Sequence, residues 1–187
     1  MFDKVLSRDE APAVLAYVRS LLAAERFHGR VLYQSLDRVK QWHLEVDRTV
    51  PAWFAVSEDG DSIELRDGAL LFDGEAMPHG TEDRVPIVEP ASLGFPESRY
   101  LWGGSADVDW PVLLQRVGKR SVLITFEHGR DPSMRSTMVI DTELGVVTRI
   151  LNVCEPFLLL VDIEIGRGIE RLRPDAYPEL EIIYPEF

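Results

Sequence analysis

Histidine and acidic side chains at alternate positions are the first residues here whose types and spacing could do chemistry. His43, Glu45 and Asp47 follow one another at two-residue steps, so they share one side of an extended strand. Imidazole and carboxylate groups bind metals, but zinc sites draw three or four ligands from converging elements. The same alternation is typical of the solvent-facing side of a half-buried strand, and we predict no metal site here.

Two pairs of carboxylates, Asp141 with Glu143 and Asp162 with Glu164, could supply acid–base catalysis. Glycosidase-type chemistry needs two carboxyl groups held roughly 5 to 9 Å apart with separated pKa values. Because 32 of the 187 residues are acidic, pairs of this kind arise by chance. Asp141 is predicted to bond the amides of a turn instead.

Other signatures of catalysis are weak. The chain has no G-x-S-x-G motif, and Gly103-Gly104-Ser105 lacks the lysine of a phosphate-binding loop. The single cysteine, Cys154, lies at the end of a predicted strand without a neighbouring base, which favours a small buried side chain. We therefore predict no catalytic residue and no cofactor, with a small cofactor-free enzyme kept as an alternative.

A set of large apolar side chains could line a ligand cavity. Ligand pockets are lined mainly by apolar and aromatic groups, but the same side chains also fill ordinary cores. Both interpretations stay open for this set: Trp42, Leu44, Trp53, Phe72, Trp102, Trp110 and Met138.

One amphipathic helix and a series of strands must position these residues. Apolar side chains recur at three- and four-residue steps over residues 10–26, which predicts a helix capped by Asp9. Strands follow at short intervals and are punctuated by Asp67-Gly68 and Asp73-Gly74, a strong hairpin signal. The spacing leaves no room for crossover helices and predicts about nine antiparallel strands.

Two further segments shape this expectation. Residues 77–111 combine five prolines with large apolar side chains, which predicts an apolar cover with a short helix over residues 96–102. In the last strand, residues 157–165, we place the odd-numbered apolar residues on one face. The predicted fold class is α+β, mainly antiparallel β: a curved sheet or half-barrel with an N-terminal helix and a loop or helix lid.

Length and charge set the class of protein. A chain of 187 residues is expected to form one domain, 1–187, with a sizeable core. The formal net charge of −12 disfavours nucleic acid, whose binding needs clustered cations. No secretory signal or apolar run long enough to span a membrane is present, so we expect a cytoplasmic chain without integral membrane association.

Two segments in the second half of the chain form a recognisable pattern: Val117-Gly118-Lys119-Arg120, which opens a hairpin, and Met138-Val139-Ile140-Asp141-Thr142-Glu143-Leu144-Gly145-Val146-Val147-Thr148-Arg149. With these segments the chain resembles the LolA-like and LppX-like lipoprotein-carrier superfamily of actinobacterial proteins. The resemblance implies a half-barrel around an apolar cavity, in which several members carry lipid or acyl chains. The missing signal and missing N-terminal cysteine argue against lipoprotein transport itself.

Three functions remain in view. The first is a non-catalytic module that binds a hydrophobic or amphipathic small molecule between sheet and lid. The second is a protein-interaction domain that docks a partner, or a second copy in a homodimer, through the apolar segment 87–110. The third is a small cofactor-free enzyme using scattered carboxylates or histidines in the same cavity.

Overall fold

The computed structural model describes residues 3–35, 38–50, 52–77, 88–96, 102, 109–152 and 157–166. These residues form one α-helix, α1 (Ala11–Leu21), and one antiparallel sheet. Its strands are β1 (Lys4–Val5), β2 (Arg26–Gln34), β3 (Val39–Asp47), β4 (Ala52–Ser57), β5 (Ser62–Arg66), β6 (Ala69–Phe72), β7 (Glu75–Met77), β8 (Asp109–Val117), β9 (Ser121–His128), β10 (Arg135–Asp141), β11 (Val146–Asn152) and β12 (Phe157–Ile165).

The mainly antiparallel α+β class agrees with the prediction, whereas the described residues form twelve strands and not nine. Strands that the sequence pattern does not indicate include β1 and β7, which are two and three residues long. Such short strands carry no readable alternation.

The sheet consists of two meanders joined at one seam. Its spatial order is β1-β8-β9-β10-β11-β12-β2-β3-β4-β5-β6-β7, so β2 to β7 and β8 to β12 each run as consecutive hairpins. We call the pairing of β12 with β2 the seam. There the register shifts between Val161 and Glu164, and Asp162 has a φ of 51°, which marks a β-bulge.

Glycine is required at position 29 in this seam. A β-carbon on Gly29 would lie 2.8 Å from the Val161 carbonyl oxygen and 3.0 Å from a Leu160 methyl. Both neighbours belong to β12, so any side chain here would push the two meanders apart.

One face of the sheet, which we call the inner face, carries the hydrophobic core. Buried side chains on this face come from every strand between β8 and β5, and they form one cluster with Val14 and Val18 of α1. The prediction that the odd-numbered apolar residues of β12 share one face, with Asp162 and Glu164 on the other, is wrong. Leu158 and Leu160 are buried and Val161 lies on the opposite, outer face, but the register shift after Val161 places Glu164 on that outer face as well. The run Phe-Leu-Leu-Leu-Val is apolar in both phases, so alternation could not select the face.

The N-terminal helix is shorter than predicted at its C-terminal end. It is preceded by a 3-10 turn (Arg8–Glu10) that is capped by Ser7 and not by Asp9. The Glu10 carboxylate accepts from the Ser7 amide at 3.0 Å, which completes a capping box. The helix ends at Leu21 and the chain enters β2 at Arg26, because the residues after the helix pack on the turn between β10 and β11.

Turn predictions based on local chemistry are confirmed. Both residues of Asp67-Gly68 and of Asp73-Gly74 have positive φ, as two-residue hairpins require. Pro111 is tolerated inside β8 because it lies at a register shift, where the ladder is already interrupted.

The described part of the proline-rich segment lies on the inner face. A 3-10 turn (Ala91–Leu93) contacts β4 and β11, and a β-carbon on Gly94 would lie 2.7 Å from a Val46 methyl. The helix expected over residues 96–102 and the predicted buried Cys154 lie outside the described residues, apart from Pro96 and Trp102.

Replacement of Gly145 by alanine tests the contact between the residues that follow α1 and the turn between β10 and β11. Gly145 has a φ of 68°, and its β-carbon would lie 2.7 Å from the Ala23 amide nitrogen. Gly118 has a φ of 63° with open space around it. We expect Gly118→Ala to cost about 1 kcal/mol of unfolding free energy, and Gly145→Ala about 1–3 kcal/mol more. Urea denaturation measures both, and equal losses would show that the contact is unimportant.

Candidate binding site

The inner face brings together most of the predicted cavity residues. Trp42 and Leu44 of β3, Trp53 of β4 and Met138 of β10 have side chains on this face and are buried. Leu44, Trp53 and Met138 are almost completely enclosed, so they form the packed floor of the face. Trp42 lies nearer to its margin.

Trp102 joins the same face from the proline-rich segment. Its ring meets Phe126 of β9 edge to face, with centroids 5.1 Å apart and an interplanar angle of 83°. The indole nitrogen donates to the Pro96 carbonyl at 3.0 Å. The ring therefore covers the sheet on the β9 side and is fixed by its own segment.

Trp110 is set apart from this group. In the β8–β9 ladder it pairs with Glu127, whereas Pro111 pairs with the inner-face residue Phe126. The Trp110 ring therefore lies on the outer side, where the Arg8 guanidinium stands 5.4 Å from its centroid. This cation–π contact connects the 3-10 turn at Arg8–Glu10 to β8.

The inner face becomes accessible toward β6 and β7. Phe72 pairs with Ile63, and Met77 pairs with Leu70, so all four side chains continue the apolar face. Phe72 is 41% exposed and Met77 is 48% exposed. This margin differs sharply from the enclosed floor around Leu44.

Charged groups lie beside Trp42, near the start of β3 and the end of β4. The Lys40 ammonium stands 4.8 Å from the centroid of the Trp42 ring and forms ion pairs with Asp61 at 2.5 Å and Asp59 at 3.4 Å. The hydrogen bond to Asp61 raises the pKa of Lys40 against the opposing effect of burial. Lys40 lies opposite Tyr33 in the ladder, so the apolar face ends there in an aromatic and charged rim.

The outer face of β12, β2 and β3 holds a polar cluster. Its cross-strand ion pairs are Arg26 with Asp47 at 2.8 Å and Arg30 with Asp162, whose Nε–Oδ2 distance is 2.6 Å. His28 Nε2 also lies 3.5 Å from a carboxylate oxygen of Glu164. His43 lies directly opposite Arg30, and Glu45 lies directly opposite His28.

The prediction that His43, Glu45 and Asp47 face solvent is wrong. Glu45 and Asp47 are each only 7% exposed, and His43 is half-buried. The long side chains of the neighbouring strands cover them, which alternation along one strand cannot reveal. Burial opposes ionisation of Asp47, but hydrogen bonds from Thr49 and Val50 outweigh it and lower its pKa.

No group of three histidine, cysteine or acidic side chains within the described ranges is arranged to hold a metal ion.

Asp141 accepts hydrogen bonds from the backbone amides of Glu143 at 2.9 Å and Leu144 at 3.0 Å. Arg120 forms ion pairs with the carboxylates of both Asp141 and Glu143. The predicted turn role of Asp141 is thus confirmed. Its turn hydrogen bonds and Arg120 outweigh burial and lower its pKa.

Three residues of the inner face were not predicted from the sequence. Lys40 and Tyr33 follow the same alternation as Trp42 and Val31, so extending the pattern along both strands would have found them. Ser92, a buried serine in the 3-10 turn, follows no pattern.

Comparison with known proteins supports the fold alone. No family model and no curated protein matches the sequence. An uncharacterised conserved protein from Thermus thermophilus has a similar structure, with a TM-score of 0.52 and 6% identity over 90% of this chain and 95% of that chain. The chain therefore shares its fold with a protein of the same extent.

Weaker similarity links the chain to MucB. In the Pseudomonas aeruginosa MucA/MucB complex the TM-score is 0.49 at 14% identity, over 86% of this chain and 58% of that one. For a structure of MucB the TM-score is 0.49 at 15% identity, over 92% of this chain and 64% of that one. The chain thus spans about three fifths of the length of MucB.

No helix in the described ranges is long and apolar enough to cross a membrane.

Acidification should destabilise the protein through His43. Burial, with the Arg30 and His28 side chains nearby, lowers the pKa of His43 below its ordinary 6.5. The unfolded chain then binds the proton more readily, so this contribution to stability is lost progressively as pH falls below about 6.5, the pKa in the unfolded chain. We expect the free energy of unfolding of His43→Gln to depend less on pH between 7.5 and 5 than that of the wild type.

The matched control is His128→Gln, at the end of β9 and well away from His43 in the sheet. Urea denaturation at several pH values measures each variant. If His43→Gln keeps the full wild-type slope, the imidazole of His43 does not determine the acid sensitivity.

Proposed function

We propose that this chain is a non-catalytic binding domain that holds a hydrophobic or amphipathic small molecule against its inner face. The observation that carries the proposal is the continuation of this apolar face from its enclosed floor to the accessible side chains of Phe72 and Met77. The resemblance to the lipoprotein-carrier superfamily supports it. In this proposal residues 1–187 act as one domain.

The dimensions of the sheet support a curved arrangement. The apolar face extends over the eleven strands from β8 to β7, which at about 4.8 Å between neighbours would span roughly 48 Å if flat. The eleven residues of α1 are only about 16 Å long. Sheets of more than about ten strands tend to curl, and we propose a half-barrel in which residues 88–96 and Trp102 form part of the lid.

Within this arrangement the ligand lies toward β5 and β6. Ile63, Leu70 and Phe72 offer partly accessible apolar surface, and Trp42 adjoins them across β4. The floor residues Leu44, Trp53 and Met138 are already enclosed, so they support the ligand site without lining it. The rim at Lys40 would lie near the polar end of an amphipathic ligand.

A non-catalytic role is supported by how the carboxylates are used. Asp141 and Glu143 bind Arg120, while Asp162 and Glu164 are engaged with Arg30 and His28 on the outer face. Each pair therefore stabilises a turn or the seam and lies away from the apolar face.

Binding should depend on Phe72 and not on an equally exposed residue of the outer face. Leu151 is also 41% exposed, but it neighbours the buried Ile150 and points to the opposite side. We expect Phe72→Ser to weaken binding of a dansyl-labelled fatty acid about tenfold, since part of an aromatic contact is lost. Leu151→Ser should bind as the wild type does. Fluorescence titration measures all three proteins.

Native mass spectrometry of the purified wild type distinguishes the remaining functions. An excess mass that disappears on denaturation supports a bound small molecule. A dimer that shows no probe binding favours the protein-interaction alternative, in which the apolar segment 87–110 docks a second copy. Equal weakening by both serine variants would contradict the placement of the ligand on the inner face.

A further inference from the structure

A row of side chains crosses the outer face of the sheet from β9 to β2. Its members lie directly opposite one another in the ladders and are, in order, Leu123, Val139, Arg149, Leu159 and Leu32. We call these five residues the outer row. Its four apolar members are partly accessible, and Arg149 at the centre is exposed. One charged group therefore stands in the middle of an accessible apolar strip.

Arg149 differs from the other arginines on outer-face strand positions. Within the described part of the chain, its guanidinium forms no ion pair or hydrogen bond. Each of the others binds a carboxylate on the same face: Arg26 binds Asp47, Arg30 binds Asp162, Arg66 binds Glu64 and Arg135 binds Glu127. The carboxylates near the row are thus already engaged, and Arg149 is the cation left for a group from elsewhere.

Charge and apolar character together restrict what covers the outer row. A second copy packed symmetrically on it would bring Arg149 against its own equivalent, and like charges oppose such a contact. Nucleic acid and anionic lipid attract clustered cations, whereas the row has one and the chain carries a net charge of −12. An apolar protein segment that contains a carboxylate matches both properties, because arginine binds carboxylates strongly.

The sequence that follows the sheet contains such a segment. β12 ends at Ile165, and residues 167–187 lie outside the described ranges. They include Leu180-Glu181-Ile182-Ile183-Tyr184, an apolar run with one carboxylate. Leu159 lies about 20 Å back from Ile165 along β12 at the usual rise of a strand. The chain between Gly166 and Leu180 can extend to about 46 Å, so the run can reach the row.

We propose that segment 180–184 of this chain docks on the outer row, with the Glu181 carboxylate bound by the Arg149 guanidinium. The inference concerns the outer face and is independent of ligand binding on the inner face. Because both partners belong to one chain, their effective concentration is on the order of millimolar, so a small contact suffices. The docked segment covers β12 and β2 from outside and so reinforces the seam.

Photo-crosslinking in the full chain tests this placement. Tyr184 is replaced by p-benzoylphenylalanine, which keeps an aromatic ring in the segment and leaves every described residue unchanged. We expect irradiation to give adducts with Val139, Leu159 and Leu32, located by tandem mass spectrometry after tryptic digestion. Adducts confined to other surfaces, or no adduct at all, would overturn the inference.

Charge reversal in this photoreactive chain tests the ion pair. Arg149→Glu and Glu181→Arg should each lower the adduct yield about fivefold, since attraction becomes repulsion. The double variant should recover most of the yield. Arg19→Glu is the matched control, because Arg19 is an exposed arginine of α1 that also has no partner among the described residues, and it should keep the full yield.

Glu181→Arg lies outside the described sheet, so it remains informative if Arg149→Glu folds poorly. A double variant that stays as low as the single ones, or an equal loss in Arg19→Glu, would contradict the pairing of Arg149 with Glu181.

A mixture of unlabelled and nitrogen-15-labelled chains identifies the source of the docked segment. Adducts within one chain support the proposal, whereas adducts between a light and a heavy chain would show that a second copy supplies the segment. The dansyl-labelled fatty acid should bind Arg149→Glu as it binds the wild type. Failure of the wild type to bind that probe would overturn the proposed function and leave the crosslinking result standing.

Discussion

The pairing of β12 with β2 is the contact on which the rest of the sheet depends. Every other long pairing joins strands that follow one another in the chain, whereas this seam brings together residues such as Arg30 and Asp162, which are 132 positions apart. Their ion pair is largely exposed and contributes at most about 1 kcal/mol. Burial of Leu158, Leu160 and Val31, together with the backbone ladder beside Gly29, must therefore hold the two meanders together.

Burial decreases from this seam toward the β7 edge. At β3 both faces are enclosed, so that even Glu45 is buried, while at β6 and β7 the inner-face residues Phe72 and Met77 reach solvent. Segments with fewer buried contacts open locally at lower free energy. For the ligand of the proposed function we therefore expect access at the β6 and β7 end, because opening there leaves the seam intact.

Local chemistry was predictable from the sequence, and the choice of face often was not. The turns at Asp67-Gly68 and Asp141 depend on residues within a few positions, and they were found. The inner residues of β12 were misplaced because that run is apolar in both phases, and Trp110 faces outward because β8 shifts register after Pro111. The burial of Ser92 depends on which distant strands surround it, which no spacing in the sequence encodes.

The similarity to the Thermus thermophilus protein at 6% identity shows how little sequence this fold requires. Alternating apolar residues, together with turn residues that tolerate positive φ, are enough to form the sheet. Side chains as enclosed as Leu44 or Met138 stabilise it equally with any ligand. Under the proposed function, selection among ligands must then come from residues that the fold does not require. On the described inner face these are the rim at Lys40 and the margin at Phe72, so we expect changes at these positions to alter the ligand of this chain without altering its fold.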